Sequence, residues 1–331
     1  MAALWNFLKR WILPIAMLAG AALYFLYRAL PFLHPAGPAL VAGVGVLQPM
    51  LIFSMLFLSF VRISPGELRP HRWQFWLLLF QCVLFVLVAL AAIFWVPAGT
   101  PLRLFLECFM ICTICPTATA AVVVTARLGG DIASLVTYTV LINLATSVLI
   151  PLFVPLIHPV EGMSFFTAFS MILAKVFPLL LGPCLLAWLV RYLLPKLHRR
   201  LCGWTDLGFY LWTVSLTLAI TMTVRALFQS NASASVIGLI ALASALSCFL
   251  NFAAGKMMGS HYLRLRPSRT DTGRKVSVTQ SVGQKNTVFA IWTGYTFFSP
   301  VTSAAGGLYS IWQNSFNAWQ LEQKRKNDKT L

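Results

Sequence analysis

The stretch TQSVGQKNTVFA, residues 279–290, carries Gln280, Ser281, Gln284, Lys285 and Asn286, within about two turns of a helix. It nevertheless lies where the spacing of its apolar neighbours demands a membrane span. Of the 331 residues 59% are hydrophobic and only 10% charged, and the mean hydropathy is +0.80. Such a chain cannot wet the surface of a soluble domain and reads as an all-α integral membrane protein. A polar, lysine-bearing segment inside it needs a reason.

Apolar runs of about 20 residues, the length a helix needs to cross the hydrocarbon, recur along the chain. Ten are expected, at 11–29, 39–61, 73–96, 101–126, 132–157, 166–190, 204–227, 234–258, 276–297 and 300–320. The formal charge of +17 sorts by side and does not indicate nucleic acid. With the N-terminus inside, Lys9, Arg10, Arg62, Arg69, Arg72, Arg127, Arg191, Lys196, Arg199, Arg200 and Lys256 fall in cytoplasmic segments. So do the basic loop Arg264–Lys275 and the basic cytoplasmic tail 321–331 with Lys324–Lys329, whereas only Arg28, Arg103 and Arg225 fall outside. This bias predicts ten spans with both termini cytoplasmic. The apolar stretch after Lys9 and Arg10 is too long for a signal peptide and is read as a retained first helix. The compact ten-helix form suggests the inner (plasma) membrane of a bacterial cell.

Two spans carry breaking signals. The fourth holds Cys115-Pro116-Thr117-Ala118-Thr119, and the ninth holds Ser281-Val282-Gly283-Gln284-Lys285-Asn286. Each is the fourth span of a set of five, and a five-helix unit must lie upside-down in its second copy. The expected architecture is therefore two inverted repeats, 1–158 and 166–320, in one transmembrane domain, with broken helices 4 and 9 crossing at the midplane, where a transporter binds its substrate. The half-helix N-termini offer free N–H groups and positive dipole ends to an anion.

These residues resemble the bile acid:sodium symporter family in its bacterial ten-helix branch. VGQKN at 282–286 is similar to the family's Glu-Val-Gly-Met-Gln-Asn crossover motif, CPTATAAVVVTA at 115–126 to its Cys-Pro-Gly-Gly-Thr-Ala-Ser-Asn motif, and GGLYSIWQN at 306–314 to its tenth helix. The resemblance implies a panel of helices 1, 2, 6 and 7 that moves against a core of helices 3–5 and 8–10. It also marks departures. The family's sodium-binding Glu falls on Ser281 and the Gln after it on Lys285; the Ser-Asn pair of the fourth helix falls on Ala121 and Val122, and a fifth-helix Ser on Leu135. Gln81 and Thr139 alone keep ligand types suited to an ion. A fixed ammonium at about 4 Å would repel sodium by roughly 4 kcal/mol at an effective dielectric near 20.

The eight acidic residues point the same way. Glu67, Glu161, Asp271, Glu322 and Asp328 sit in expected loops or tails, and Glu107, Asp131 and Asp206 near an interface. None is placed at the midplane, where a cation-coupled transporter keeps one. Lys285 then has three readings: its ammonium stands where relatives hold sodium, it takes up and releases a proton to drive the cycle, or it only ties carbonyls of the unwound helix. Thr117, Thr119, Ser281, Gln284 and Asn286 are the accompanying candidates for substrate contact. Gln81, Thr139 and Lys285 are the candidates for ion coupling. Gln48, Gln313 and Asn314 are read as packing contacts, and Lys175 as a snorkelling side chain.

Nothing in the sequence suggests an enzyme. The pattern Cys108, Cys112, Cys115 reads as apolar packing rather than an iron–sulfur ligand set, the five histidines lack metal-ligand spacing, and no nucleophile–base pair stands out. No cofactor is expected. The sequence thus points to a secondary transporter of an organic anion, bile-acid-like or a smaller carboxylate, that works without sodium. The alternatives are a sodium symporter with an altered site built from Thr139, Gln81 and Gln284, and a non-transporting sensor or assembly protein.

Overall fold

In a computed structural model, residues 2–204, 207–265 and 271–329 are described. Of the charges sorted above, Asp206, Arg266 and Arg269 lie outside them, as do the side chains of Lys9, Arg10, Arg264, Asp271, Asp328 and Lys329. The described chain forms α-helices joined by short turns. They are α1 (Ala2–Ala29), α2 (Gly37–Val61), α3 (Arg72–Trp95), α4 (Pro101–Ile114), α5 (Ala120–Leu128), α6 (Ile132–Ile157), α7 (Phe165–Leu193), α8 (Pro195–Cys202), α9 (Leu207–Gln229), α10 (Ala234–Leu265), α11 (Asp271–Gly283), α12 (Thr287–Phe297) and α13 (Pro300–Lys329). Short 3-10 turns at Pro31–Ala36 and Pro65–Glu67 link α1 to α2 and α2 to α3.

Burial is inverted relative to a soluble protein. Gln74, Gln81, Asn143, Ser215, Ser247, Gln280 and Thr293 are fully buried, while Leu18, Phe32, Trp95, Phe166, Phe249 and Met257 face outward. Apolar surface costs nothing against lipid, and polar groups there must find partners inside the protein. Among the described residues, six helices are long and apolar enough on their own to cross a bilayer. The chain is a multi-pass membrane protein.

Of the four other expected spans, the first is counted only over Pro14–Ala29, and the remaining three fail that measure for identifiable reasons. The fourth is split into α4 and α5 and the ninth into α11 and α12, each piece shorter than a bilayer requires. The tenth, α13, carries Gln313, Asn314, Asn317 and Gln320 within its length. It also runs past residue 320 as one helix to Lys329, so the segment expected as a separate basic tail continues the span. Arg325 Nη2 lies 2.9 Å from Glu322 Oε2 one turn away, which supports that extension. Between α7 and α9 the chain forms α8, read as a connecting segment in sequence. Its Pro195 suits a first helical position, and Leu197 and Leu201 share one face opposite Arg199 and Arg200. His198 Nε2 lies 2.9 Å from the Val61 carbonyl and fastens α8 to the end of α2.

Caps define the other boundaries. Thr100, Asp131 and Ser164 accept hydrogen bonds from the backbone N–H three residues on, opening α4, α6 and α7. Gly129, at φ +81°, closes α5 in the left-handed conformation that glycine adopts without strain.

α1 packs on α9, and α2 on α7 and α9; α10 packs on α11, α4 and α13; α12 lies along α13, and α3 along α4 and α6. α10 and α11 approach each other closely. A Cβ at Gly255 would lie 2.8 Å from Thr279 Cα and 3.2 Å from the Val278 carbonyl oxygen, both backbone atoms that cannot turn aside. We expect Gly255→Ala to lower the melting temperature of the detergent-purified protein, at a cost of about 1–3 kcal/mol for overpacking. Gly43→Ala, where no atom lies within 4 Å, is expected to leave it unchanged.

Candidate functional site

Pro116 has no N–H and its ring excludes the carbonyl four residues back, so α4 ends at Ile114. Cys115 takes the extended conformation usual before proline, φ −50° and ψ 139°. Every carbonyl released this way requires a partner, because lipid supplies none. Gln81 Nε2 donates to the Thr113 carbonyl at 2.7 Å, and Thr146 Oγ1 to the Ile114 carbonyl at 2.9 Å. The Pro116 carbonyl accepts from the Asn286 N–H at 2.8 Å.

That last bond joins the two breaks. Thr117 and Lys285 form an isolated antiparallel bridge, completed by the Ala118 N–H on the Gln284 carbonyl at 2.9 Å. Further contacts involve side chains. Thr117 Oγ1 donates to the Ser281 carbonyl at 2.6 Å, Tyr309 Oη to the Gly283 carbonyl at 2.9 Å, and the Lys285 N–H to Gln313 Oε1 at 2.8 Å. Asn286 Oδ1 then caps α12 by accepting from the Phe289 N–H at 3.1 Å. Gly283 lets the segment pass under α10: a Cβ there would lie 2.3 Å from the Phe252 ring.

Lys285 differs from the groups around it. Its side chain is 1% exposed, and Nζ has no hydrogen-bond partner. The backbone of this residue ties the breaks together and its ammonium does not. The ionisable groups facing Nζ are the thiols of Cys82, Cys112, Cys115 and Cys248, with no carboxylate among them. Among the described residues no three His, Cys, Asp or Glu side chains converge as metal ligands. The nearest buried acid along α4 is Glu107, which is already engaged: Arg103 Nε lies 3.3 Å away, His158 Nε2 3.1 Å, and Thr302 Oγ1 donates to it at 3.4 Å. Ser281 Oγ, also fully buried, has no partner either. An ammonium with three donors and a hydroxyl, each buried and without a partner, are groups of the type that bind a carboxylate or another oxyanion.

The sequence-predicted residues therefore divide. Thr117, Ser281, Gln284, Lys285 and Asn286 meet at the junction, with the Gln284 amide donating to Gln280 Oε1 at 2.6 Å and Gln280 in turn to Gln320 Oε1 at 2.6 Å. Thr119 opens α5 at half-burial and its side chain caps no N–H, so the positive end of α5 stays uncapped by a side chain. Gln81 has both amide atoms occupied, since Tyr138 Oη donates to its Oε1 while its Nε2 holds the Thr113 carbonyl. Thr139 Oγ1 donates to Leu135 in its own helix at 3.0 Å.

Tyr309, Thr146 and the capping role of Gln313 were not anticipated. A signal for two of them existed: Tyr309, Gln313, Asn317 and Gln320 recur at helical spacing and mark one polar face of α13.

A family model described as the SBF-like CPA transporter family (DUF4137) matches residues 17–309. The chain belongs to that family, and is a membrane transporter of the bile acid:sodium symporter-like kind. A comparison with curated proteins finds no match.

The junction should respond to loss of single bonds. Thr117→Val deletes the partner of the Ser281 carbonyl and is expected to cost about 1 kcal/mol, read as a lower melting temperature in detergent. Thr117→Ser keeps the hydroxyl and is expected to melt close to the native protein.

Proposed function

We propose that this transporter carries an organic anion, bile-acid-like or a smaller carboxylate, by alternating access without sodium, with Lys285 supplying the positive charge at the substrate site. The observation that carries this reading is the buried, unpartnered Nζ at the meeting point of two broken helices. An isolated buried charge is unfavourable by several kcal/mol unless a counter-charge reaches it, and an arriving anion is such a counter-charge. Ser281 adds a donor, and the N-terminal ends of α5 and α12 add positive dipole ends. Thr117, Gln284 and Asn286 at the junction, and Thr119 at the start of α5, are the substrate-side candidates.

In this reading the chain is one domain of ten crossings in two inverted repeats, 1–158 and 166–320, with both termini in the cytoplasm and the protein in the inner (plasma) membrane. The packing supports the symmetry. α1 on α9 is mirrored by α7 on α2, and α3 on α4 by α10 on α11, which are the pairs that exchange when the halves are interchanged. α1, α2, α7 and α9 form the panel; α3–α6 and α10–α13 form the core that rocks against it and exposes the junction to each side in turn.

The same unpartnered Nζ supports a second reading, in which Lys285 takes up and releases a proton during the cycle. The sodium symport reading is disfavoured by the engagement of Gln81 and by the missing carboxylate.

Current recordings from proteoliposomes separate these readings. Taurocholate and short mono- and dicarboxylates are applied in potassium buffer free of sodium. We expect anion-evoked charge movement with the native chain and none with Lys285→Met. Movement that requires sodium would return the protein to the sodium symporters. Movement that requires a pH gradient would favour the proton reading. No movement with any anion, from protein that still melts cooperatively, would favour a sensor or assembly role.

A further inference from the structure

Away from the junction, a groove of about 660 Å³ opens between the first turns of α3 and the last turns of α10. Its lining is graded along the helices. Arg72, the first residue of α3, and His261 and Tyr262 near the end of α10 line the groove. One turn deeper on each helix are Trp76 and Met257, 58% and 72% exposed to the surroundings, and Trp73, 3% exposed, forms the floor. Trp76 and Met257 lie within membrane-spanning helices, so what surrounds them is lipid. No lining residue is acidic. Among the described residues, neither Arg72 nor His261 has a hydrogen-bonding or ionic side-chain partner.

From this we infer that the α3–α10 groove is a binding site for an anionic phospholipid, its phosphate held by Arg72 and His261 and one acyl chain lying along Trp76 and Met257 over Trp73. Charge complementarity selects the occupant. A cationic mouth above an apolar, aromatic-walled trough matches a negatively charged headgroup on a hydrocarbon chain, and basic pockets between membrane helices take such headgroups. The N-terminal end of α3 adds its positive dipole at the same place. Trp73 and Trp76 fall in the first two turns of α3, the end of a span where amphipathic aromatic rings favour the headgroup region. Helices α3 and α10 both contact α4, and α10 also contacts α11, so a lipid wedged between them would lie against helices that pack on those carrying the breaks. The assignment is independent of which anion the junction transports.

Native mass spectrometry of the intact detergent-purified protein, titrated with phosphatidylglycerol or with phosphatidylcholine of the same chains, tests it. We expect tighter retention of phosphatidylglycerol. Arg72→Gln is expected to weaken it roughly fivefold, the equivalent of about 1 kcal/mol for one basic residue at headgroup level, whereas Arg199→Gln on α8 is expected to leave it unchanged. Quenching of tryptophan fluorescence by phosphatidylglycerol with brominated chains should fall in Trp76→Phe. Equal retention of the two lipids, or equal weakening by Arg72→Gln and Arg199→Gln, would overturn the site in favour of diffuse surface charge. Displacement of the lipid by glycerol phosphate, a headgroup without chains, would overturn it in favour of a small-anion vestibule.

Discussion

A helix broken inside a bilayer leaves carbonyl and N–H groups that lipid cannot satisfy, and this constraint organises the centre of the molecule. The two breaks, at Cys115–Thr119 and Gln284–Asn286, are made tolerable by each other. Two backbone hydrogen bonds pass between them, at 2.8 and 2.9 Å, and side chains from α3, α6 and α13 take up four more of the freed groups. Neither break can form alone without orphaned groups. The helices that supply the partners are thereby fixed around the junction.

Within that framework Lys285 Nζ stands out as a buried amine without a hydrogen-bond partner, with Ser281 Oγ also unpartnered. Replacing a buried, uncompensated charge by an apolar group of similar size is commonly stabilising. An unpartnered lysine at such a position is the kind of local exception that a binding site produces. The carboxylates that cation-coupled transporters use are absent from the surroundings of Nζ, and the one nearby on α4, Glu107, is held by Arg103. In the reading proposed above, the positive charge at the junction comes from the chain itself.

Much of this was legible in the sequence. Pro116 and Gly283, beside clustered polar residues in apolar runs, located both breaks, since proline and glycine act through local backbone geometry. Motif resemblance placed the chain in its family. The partners of the freed groups were less legible, because they come from residues far along the chain. Gln81 was expected as an ion ligand and instead holds the Thr113 carbonyl, and Gln313, expected as a packing contact, holds the Lys285 N–H. A polar side chain in an apolar span announces that it has a partner without saying which. The continuation of α13 and the short amphipathic α8 were missed for another reason: charged segments next to spans read as loops until their helical pairs are noticed.

The most direct measurement is the melting temperature of the detergent-purified protein carrying Lys285→Met, compared with the native chain. If Lys285 is an uncompensated charge held for a substrate, the variant melts at a higher temperature, because the substitution removes a buried ammonium and none of its backbone bonds. A lower melting temperature would show that the ammonium holds the junction together and would contradict the account.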